Sequence, residues 1–574
     1  MDWLVLGTVF LLLALLVWGR FRPYMLFAGL ALIYYVFGFL SFDLLVSGLV
    51  NPAVMTLMAL LMVAVVLEQT GLLKNLSRRL VVPSYRASLL RLGVLATTAS
   101  AFLNNTAVVA ALMGAVRNNP HHPASKLLLP LSYFAILGGT VTLIGTSTNL
   151  IVAGFVIDAG LAPLKMFDFV YVGVPLALAG IAVLLVLGDR LLPAHAADRQ
   201  SVNDYFLEAV IVDGSPLAGK SVQKAGLRHL QQLFLAELHR GEESISPVSP
   251  KTVLQAGDRL YFTGDIKEIQ SLSRLPGLKV TGTPPSGRVN DHLVEVIVSH
   301  TSTLVGKTLK SAEFRSKFDA SVVAIRRGHE RLNGQLGQIA LQVGDTLVLA
   351  PGRDFEQREN LDRNFYLSST LQVNRVLPPL SGALAVAGFF AAVVLGALGV
   401  VPLIKGLLVL LGLFLLAKLV NADTLRRRFP FDLLIVIVSA LAIAKVMHTS
   451  GASALLASAI MAVFGGFGVM GAFAGVFLAA FVMTEIVTNN AAAALVFPVA
   501  LATAQSLGVD AMPFVMAVAY GASASFLIPS GYQTNLMVYS AGGYRVMDYV
   551  RLGGPVALVH FAVCMSLIPL FFPF

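Results

Sequence analysis

Two short polar segments interrupt long apolar runs at matching places in the two halves of the chain. The first is Phe-Leu-Asn-Asn-Thr-Ala at residues 102–107, and the second is Ile-Val-Thr-Asn-Asn-Ala at residues 486–491. Amide and hydroxyl groups in an apolar interior cost free energy unless they face protein, water or a bound ion. Because the segments are paired, they favour a single site built from both halves over simple polar contacts between neighbouring helices.

The composition places these segments in a membrane. Of the 574 residues, 56% are hydrophobic and only 13% are charged, whereas a soluble protein carries about 25% charged residues. The sequence therefore predicts a multi-pass protein of the cell (plasma) membrane, embedded in the lipid bilayer. The net charge of +10 is not taken to indicate nucleic-acid binding, because the basic residues cluster between apolar segments, as in cytoplasmic loops.

Two further apolar segments contain residues that disfavour a helix. Residues 127–157 include Gly-Thr-Ser-Thr-Asn at 145–149, and residues 512–540 include Pro-Ser-Gly-Tyr-Gln-Thr-Asn at 529–535. Glycine costs about 1 kcal/mol relative to alanine inside a helix, and Ser, Thr and Asn offer the backbone competing hydrogen bonds. We therefore expect two helices broken at membrane depth, where irregular backbone is tolerated only if it lines a cavity or is buried.

The distribution of positive charge predicts how the halves are oriented. The apolar segment 92–116 has basic flanks on both sides, which indicates a re-entrant hairpin with the first polar segment near its tip. A second hairpin is predicted near 471–503. Seven Lys or Arg residues lie between residues 71 and 126, and none between 446 and 544. This opposite bias predicts opposite orientation, so the expected fold class is an all-α membrane protein, an inverted-repeat transporter with two re-entrant hairpins and two broken helices.

An insert separates the two membrane halves, which are predicted to cover 1–190 and 376–574. It carries many charges and no long apolar run. A pattern within it recurs at an offset of 87 residues, which predicts two tandem α+β modules, 199–282 and 283–370. Its first copy comprises Glu208, Gly219, Lys220, Gly257 and Asp258, and its second copy Glu295, Gly306, Lys307, Gly344 and Asp345. The charge pattern places the insert in the cytoplasm.

The polar segments and helix breaks supply the predicted site. Unwound carbonyls and side-chain oxygens suit Na⁺, and exposed N–H groups at half-helix N-termini suit an anion. We expect one cation at Asn105 with Gly145, and another at Asn489 with the turn Pro529, Ser530 and Gly531. The residues expected to bind substrate are Asn104, Thr106, Thr148, Asn149, Thr488, Asn490, Thr534 and Asn535. Neither polar segment nor either break contains Lys or Arg, so amides, hydroxyls, helix dipoles and bound cations would hold the anion.

Glu485 precedes the second polar segment inside an apolar stretch. An acidic residue at this depth is a candidate for proton coupling, although a structural hydrogen bond near the hairpin is the favoured interpretation. Its counterpart in the first half is Ala101, so the repeat itself does not support a coupling role.

These motifs resemble those of the divalent anion/sodium symporter family, which includes dicarboxylate, citrate and sulfate carriers. The polar segments are similar to that family's Ser-Asn-Thr hairpin tips, and the breaks to its Gly-Thr-Pro-Pro-Asn turns. The chain departs from the pattern at Asn104, where the family has Ser, and at Asn490, where it has Thr. The resemblance implies Na⁺-coupled symport, a homodimer and an elevator-type movement. The insert resembles paired regulator-of-potassium-conductance C-terminal (TrkA-C) modules, for which a nucleotide-type regulator or a role in dimer assembly are both open.

The function predicted from the sequence is sodium-coupled symport of a small divalent anion, with sulfate favoured over C4-dicarboxylate or citrate. One alternative is a membrane anion sensor that signals through the cytosolic modules. Another is a sodium-independent anion or arsenite-type extruder. An enzyme is not expected, because no nucleophile–base pair or metal-ligand cluster is evident in the sequence, and no tightly bound cofactor is expected beyond transported Na⁺.

The cation assignment makes a direct prediction. Asn105→Ala and Asn489→Ala should each abolish Na⁺-driven anion uptake, because each removes the central oxygen ligand of one predicted site. The measurement is uptake by purified protein in liposomes, with the oligomeric state determined in parallel. Normal uptake by either variant would refute the assignment.

Overall fold

The computed structural model describes residues 2–194, 206–367 and 377–574, apart from residue 20, residues 71–79 and several short gaps within the insert, the longest being 228–232, 265–271 and 283–292. Two helical parts flank an insert of β-strands. The helices of the first part are α1 Asp2–Trp18, α2 Pro23–Val36, α3 Phe42–Ser47, α4 Pro52–Glu68, α5 Tyr85–Ser100, α6 Asn105–Arg117, α7 Leu128–Gly139, α8 Ser147–Asp158 and α9 Val170–Leu191.

In its described residues, the insert contributes two short helices, α10 Phe314–Phe318 and α11 Leu361–Asn364. The second helical part follows a similar order, with one more helix among the described residues. Its helices are α12 Pro379–Ala397, α13 Leu403–Leu416, α14 Ala422–Arg428, α15 Phe431–Thr449, α16 Ala452–Phe464, α17 Gly468–Ile486, α18 Asn489–Leu507, α19 Met512–Ala522, α20 Gln533–Ala541 and α21 Val546–Phe571.

The protein is a multi-pass membrane protein. Among the described residues, six helices are long and apolar enough to cross a membrane, or seven if the bent pair Phe42–Val50 and Pro52–Glu68 forms one span. Several shorter apolar helices accompany them, including three of the four that flank the two predicted breaks. Large apolar side chains lie on the outer surface: Leu408, Val409 and Leu416 are 54%, 64% and 81% exposed, as suits contact with lipid.

The two helical parts pack against each other through matched contacts. Helix α5 packs against α7, and its counterpart α17 packs against α19. Contacts between the halves also occur in equivalent pairs. Helix α6 contacts α20, and correspondingly α18 contacts α8. Helix α4 contacts α13, and correspondingly α15 contacts α2. Each half therefore supplies elements that complete the other, so the centre of the molecule is shared by both.

The insert contains two five-stranded antiparallel sheets with the same strand order. Its strands are β1 Phe206–Ile211, β2 Leu233–Arg240, β3 Glu243–Ile245, β4 Arg259–Gly264, β5 Leu278–Gly282, β6 Val294–Val298, β7 Ala320–Arg327, β8 Glu330–Arg331, β9 Thr346–Pro351 and β10 Phe365–Leu367. The first sheet has the order β3-β2-β4-β1-β5, and the second has the equivalent order β8-β7-β9-β6-β10. We call these the first and second modules. The predicted boundary between them falls at the start of 283–292, outside the described residues.

An ion pair between a buried aspartate and a partly exposed arginine occupies the same place in each module. Asp345, which is fully buried, accepts two hydrogen bonds of 2.8 Å from Arg327. Asp258 and Arg240 form the same bidentate pair at the same distances in the first module. Hydrogen bonding to the carboxylate raises the pKa of the arginine in both cases. Each pair joins the second strand of its module to the turn before the next long strand.

This arrangement predicts a local effect of breaking one pair. Arg327→Met should destabilise the second module by about 3 kcal/mol, because it leaves the buried carboxylate of Asp345 without its cationic partner and, among the described groups, with only the N–H of Gln342 still donating to it. Hydrogen exchange should accelerate in β7 and β9. The matched variant Arg240→Met should accelerate exchange in β2 and β4 instead, and equal exchange in both modules for both variants would contradict the prediction.

Candidate functional site

Asn105 and Asn489 are the central asparagines of the two polar segments, and the residue before each of them caps a helix. Asn104 is the N-cap of α6, and its side-chain oxygen accepts a hydrogen bond of 2.8 Å from the backbone N–H of Thr106. Thr488 caps α18 in the same way and accepts a 3.4 Å hydrogen bond from the N–H of Ala491. Asn and Thr are favoured N-caps because they satisfy an N–H that the helix leaves unpaired. Both capping residues are exposed.

The two helix breaks close in the same way. A Cβ on Gly145 would lie 2.5 Å from the carbonyl oxygen of Gly139, and a Cβ on Gly531 would collide with the hydroxyl of Ser525. The two pairs are equivalent under the repeat, because Gly145 corresponds to Gly531 and Gly139 to Ser525, each at an offset of 386 residues. Glycine is therefore required where each turn folds back onto the end of the preceding helix. Of the other predicted turn residues in the second break, Pro529 is buried and Ser530 is exposed.

Asn149 and Asn535 hold these breaks together. The side-chain amide of Asn149 donates to the carbonyl oxygens of Gly139 and Thr142, at 3.4 and 2.9 Å. The amide of Asn535 donates to the carbonyl oxygen of Ser525 at 3.0 Å. Both asparagines are fully buried, so their amide nitrogens satisfy carbonyls left open where the helix stops.

Four helix N-termini meet at the centre of the molecule. Thr106 at the start of α6 donates to Gln533 at the start of α20, over 3.1 Å. Ser147 at the start of α8 donates to Asn490 at the start of α18, over 3.0 Å. These two contacts are equivalent under the repeat. Each joins a polar segment of one half to a helix break of the other.

Tyr532 connects the two pairs of helix starts. Its hydroxyl accepts a hydrogen bond of 2.9 Å from the amide of Asn105, and it also interacts with the hydroxyl of Thr146, the residue before α8. The N-terminus of a helix carries a partial positive charge and unpaired N–H groups. Their convergence, without Lys or Arg in these segments, makes the centre a suitable environment for an anion.

The centre also contains buried oxygens with free hydrogen-bonding capacity. Among the described residues, the Oδ1 atom of Asn105 accepts no hydrogen bond, and the buried hydroxyl of Ser100, five residues earlier, also lacks a partner. Gly139 packs directly against the amide of Asn105, since a Cβ there would lie 2.7 Å from it. A buried oxygen of this kind is a candidate ligand for water or an ion.

The second half has a similar excess of oxygens. The hydroxyl of Thr484 lies 2.8 Å from Oδ1 of Asn489 and 2.6 Å from the carbonyl oxygen of Ala522. A hydroxyl has one proton and cannot donate fully to both. The nearby hydroxyl of Ser525 is buried, with no partner in the described part of the chain. Each central asparagine thus sits in an oxygen-rich environment, which is the donor set that a hard cation prefers.

Thr148 and Thr534 are both fully buried, but their surroundings differ. Thr534 contacts the hydroxyl of Ser132 at 2.8 Å, whereas the hydroxyl of Thr148 has no partner among the residues that the structure describes. The repeat explains the difference, because the residue equivalent to Ser132 is Val518. The two halves are therefore not chemically identical at this point.

Glu485 binds the irregular backbone of the second break. Its carboxylate accepts hydrogen bonds from the N–H groups of Phe526, Leu527 and Ile528, at 2.7, 2.8 and 3.0 Å. In the first half, the corresponding hydrogen bond is donated by the side-chain hydroxyl of Thr142 to the backbone carbonyl oxygen of Ala101. This geometry supports the structural interpretation of Glu485 over a coupling role.

Sequence reasoning did not single out Ser132, Ser147, Tyr532 or Gln533. A signal for two of them was present, because the offset that relates the breaks places Ser147 on Gln533. Ser132 lies within an unbroken apolar helix and carries no such signal. Its role depends on the packing of α7 against α20.

The fold and the candidate site are typical of one class of protein, a multi-pass membrane transporter built from two equivalent halves. Comparison with known proteins gives the family. The sequence profile of the citrate transporter family matches residues 13–521 and 393–574, and the chain belongs to this family of anion transporters.

Several relatives share much of the chain. A Chlamydomonas reinhardtii protein named as a candidate sulfur deprivation response regulator is 34% identical, over 92% of this chain and 94% of that protein. An uncharacterized transporter of Synechocystis is 28% identical, over 90% and 88%. Sodium/sulfate cotransporter 1 of C. reinhardtii is 30% identical, over 63% of this chain and 42% of its own length.

The contacts of Glu485 predict the effect of neutralising it. Glu485→Gln should lower the free energy of unfolding by about 2 kcal/mol, because one of its two acceptor oxygens becomes a donor that faces an N–H group. Thermal unfolding in detergent measures this. The control Glu68→Gln alters a partly exposed ion pair with Arg428 and should cost less than about 1 kcal/mol. Unchanged stability of Glu485→Gln, with loss of pH-dependent transport, would favour the coupling role instead.

Proposed function

We propose that the protein is a sodium-coupled symporter that imports a small divalent anion, with sulfate favoured over C4-dicarboxylates and citrate. The observation that carries the proposal is the convergence of four helix N-termini, two from each half, beside buried oxygens with unfilled hydrogen-bonding capacity. The first feature suits an anion and the second suits cations. A relative named as a sodium/sulfate cotransporter is consistent with both.

The first cation would bind at Asn105 with the Gly145 turn, and the second at Asn489 with the turn at 529–531. The hydroxyls of Ser100 and Thr484, at equivalent positions, extend these two donor sets. The anion would contact Thr106 and Asn490, which lie at the two contacts between the halves. Asn104 and Thr488 would act by capping the helices that face it, and Asn149 and Asn535 by holding the breaks.

The energetics favour coupling to Na⁺. One elementary charge that moves through about 100 mV changes the free energy by roughly 2.3 kcal/mol. A divalent anion that enters a cell with a negative interior moves two negative charges against the potential, so its free-energy cost is twice this value. Two Na⁺ ions would cancel this cost, and a third would use the potential to drive uptake.

The two hairpins differ in their packing, which supports alternating access. Helix α18 of the second hairpin packs extensively on α15 and α16. Within the described residues, α6 of the first hairpin has no comparably extensive contact with α4. We therefore assign the more open side to the first hairpin, which we expect from the charge pattern to face the cytoplasm. An elevator-type movement of the hairpins and broken helices, and a homodimer, complete the proposal.

A second candidate function is anion sensing. A relative that is similar over most of both chains is named as a candidate response regulator, and the second module contacts helix α20 of the site. A sensor would bind the anion without net transport. A nucleotide-type ligand of the TrkA-C-like modules fits either function.

The decisive experiment is uptake of labelled sulfate, succinate and citrate by purified protein in liposomes under imposed Na⁺, K⁺ or pH gradients. We expect saturable sulfate uptake that requires an inward Na⁺ gradient. Saturable binding without flux would favour the sensor. Sodium-independent flux would favour the extruder and refute sodium coupling.

A further inference from the structure

The second module contacts the membrane part through two glycine turns. The N–H of Gly328, between β7 and β8, donates to the hydroxyl of Ser540 in α20 over 3.0 Å. The same hydroxyl donates over 2.7 Å to the carbonyl oxygen of Gly344, in the turn before β9. Both hydrogen bonds are buried, so one serine at the C-terminal end of α20 joins two turns of the module.

Close approach explains why both turns contain glycine. Gly328 has a φ of +61°, and a Cβ there would lie 2.7 Å from the ring of Tyr539. Gly344 has a φ of +84°, and a Cβ there would lie 3.1 Å from the carbonyl oxygen of Leu536. Both residues therefore combine a backbone conformation that favours glycine with direct contact to α20.

An ion pair forms a second connection. Arg117, in the last turn of α6, pairs with Glu295 of β6, which also binds Arg326 at 2.8 Å. Burial by itself would raise the pKa of Glu295, but the two arginines outweigh it and lower the pKa. The neighbouring Ile297 is buried in the same apolar cluster as the membrane helices.

These connections reach two helices that begin at the candidate site: α6 of the first hairpin and α20 after the second break. Helix α6 starts at Asn105, and α20 starts at Gln533, where the side chains of Thr106 and Gln533 meet. The module holds both helices at their other ends. Helix α20 has nine residues and is about 13 Å long, so a displacement at its end is transmitted over a short distance.

The first module lacks this contact although it has the same turns. Gly241 and Gly257 are the equivalents of Gly328 and Gly344, with φ values of +60° and +84°. In the described part of the chain, no atom lies within 4 Å of a Cβ placed on either of them. The contact is therefore a specialised feature of the second module.

We infer that the second module is a docking clamp on the ends of α6 and α20, which keeps their N-termini aligned for anion binding. The inference rests on the proposed function, since it assigns the clamp to the anion site. Undocking would weaken the anion site while leaving the number of transport-competent molecules unchanged. A ligand that displaced the second module would then act as a regulator of affinity.

A matched pair of variants tests the clamp. Gly328→Ala should raise the KM for sulfate by about fivefold, the lower end of ordinary coupling between sites, with a smaller change in the maximal rate. Gly241→Ala imposes the same backbone strain without the contact and should leave KM unchanged. Equal KM values for both variants would overturn the inference.

Hydrogen exchange provides a readout that needs no substrate. Exchange in residues 533–541 should accelerate in Gly328→Ala and not in Gly241→Ala, because only the first loses contact with α20. This result would stand even if no anion were transported, so failure of the clamp and failure of the proposed function are distinguishable. Unchanged exchange in Gly328→Ala would overturn the clamp.

The ion pair between Arg117 and Glu295 provides an independent test of the clamp. Arg117→Gln and Glu295→Gln should each raise KM, and the double variant should resemble Glu295→Gln, because that variant already removes the contact with Arg117 together with the pair to Arg326. Strictly additive effects would contradict a shared contact between α6 and the second module.

Discussion

The centre of this protein depends on how backbone groups are satisfied where helices stop inside an apolar interior. Every interrupted helix exposes N–H groups at one end and carbonyl groups at the other. Asn104 and Thr488 cap N–H groups, and Asn149 and Asn535 bind carbonyls. The irregular backbone is thereby stabilised, and the remaining N–H groups face a common centre that suits an anion.

The two halves solve equivalent problems with different chemistry. Glu485 ties the second hairpin to its break by accepting three N–H hydrogen bonds. At the position of Ala101 the first half uses a backbone carbonyl and the hydroxyl of Thr142 instead. Thr534 has a partner in Ser132, whereas the equivalent Val518 offers none to Thr148. Such differences suit the two cation sites and two access routes that we propose, because they give the halves unequal properties within one repeated architecture.

The insert is connected to this centre by its second module alone, as far as the described hydrogen bonds and ion pairs show. The module reaches α6 and α20 at the ends opposite the site. Rigid short helices transmit displacement well, so the site and the module share two elements whose positions affect both. The two modules therefore share one sheet architecture but differ in their contacts with the membrane helices.

The sequence by itself determined the membrane class, the paired polar segments, the helix breaks and the repeat within the insert, because hydropathy, helix-breaking residues and fixed offsets are local properties. It also singled out the central asparagines. Only the tertiary structure decided which residues meet: Asn105 with Tyr532, Ser147 with Asn490, and Ser540 with the second module. Contacts between residues hundreds of positions apart depend on how whole helices pack, and no local pattern records that.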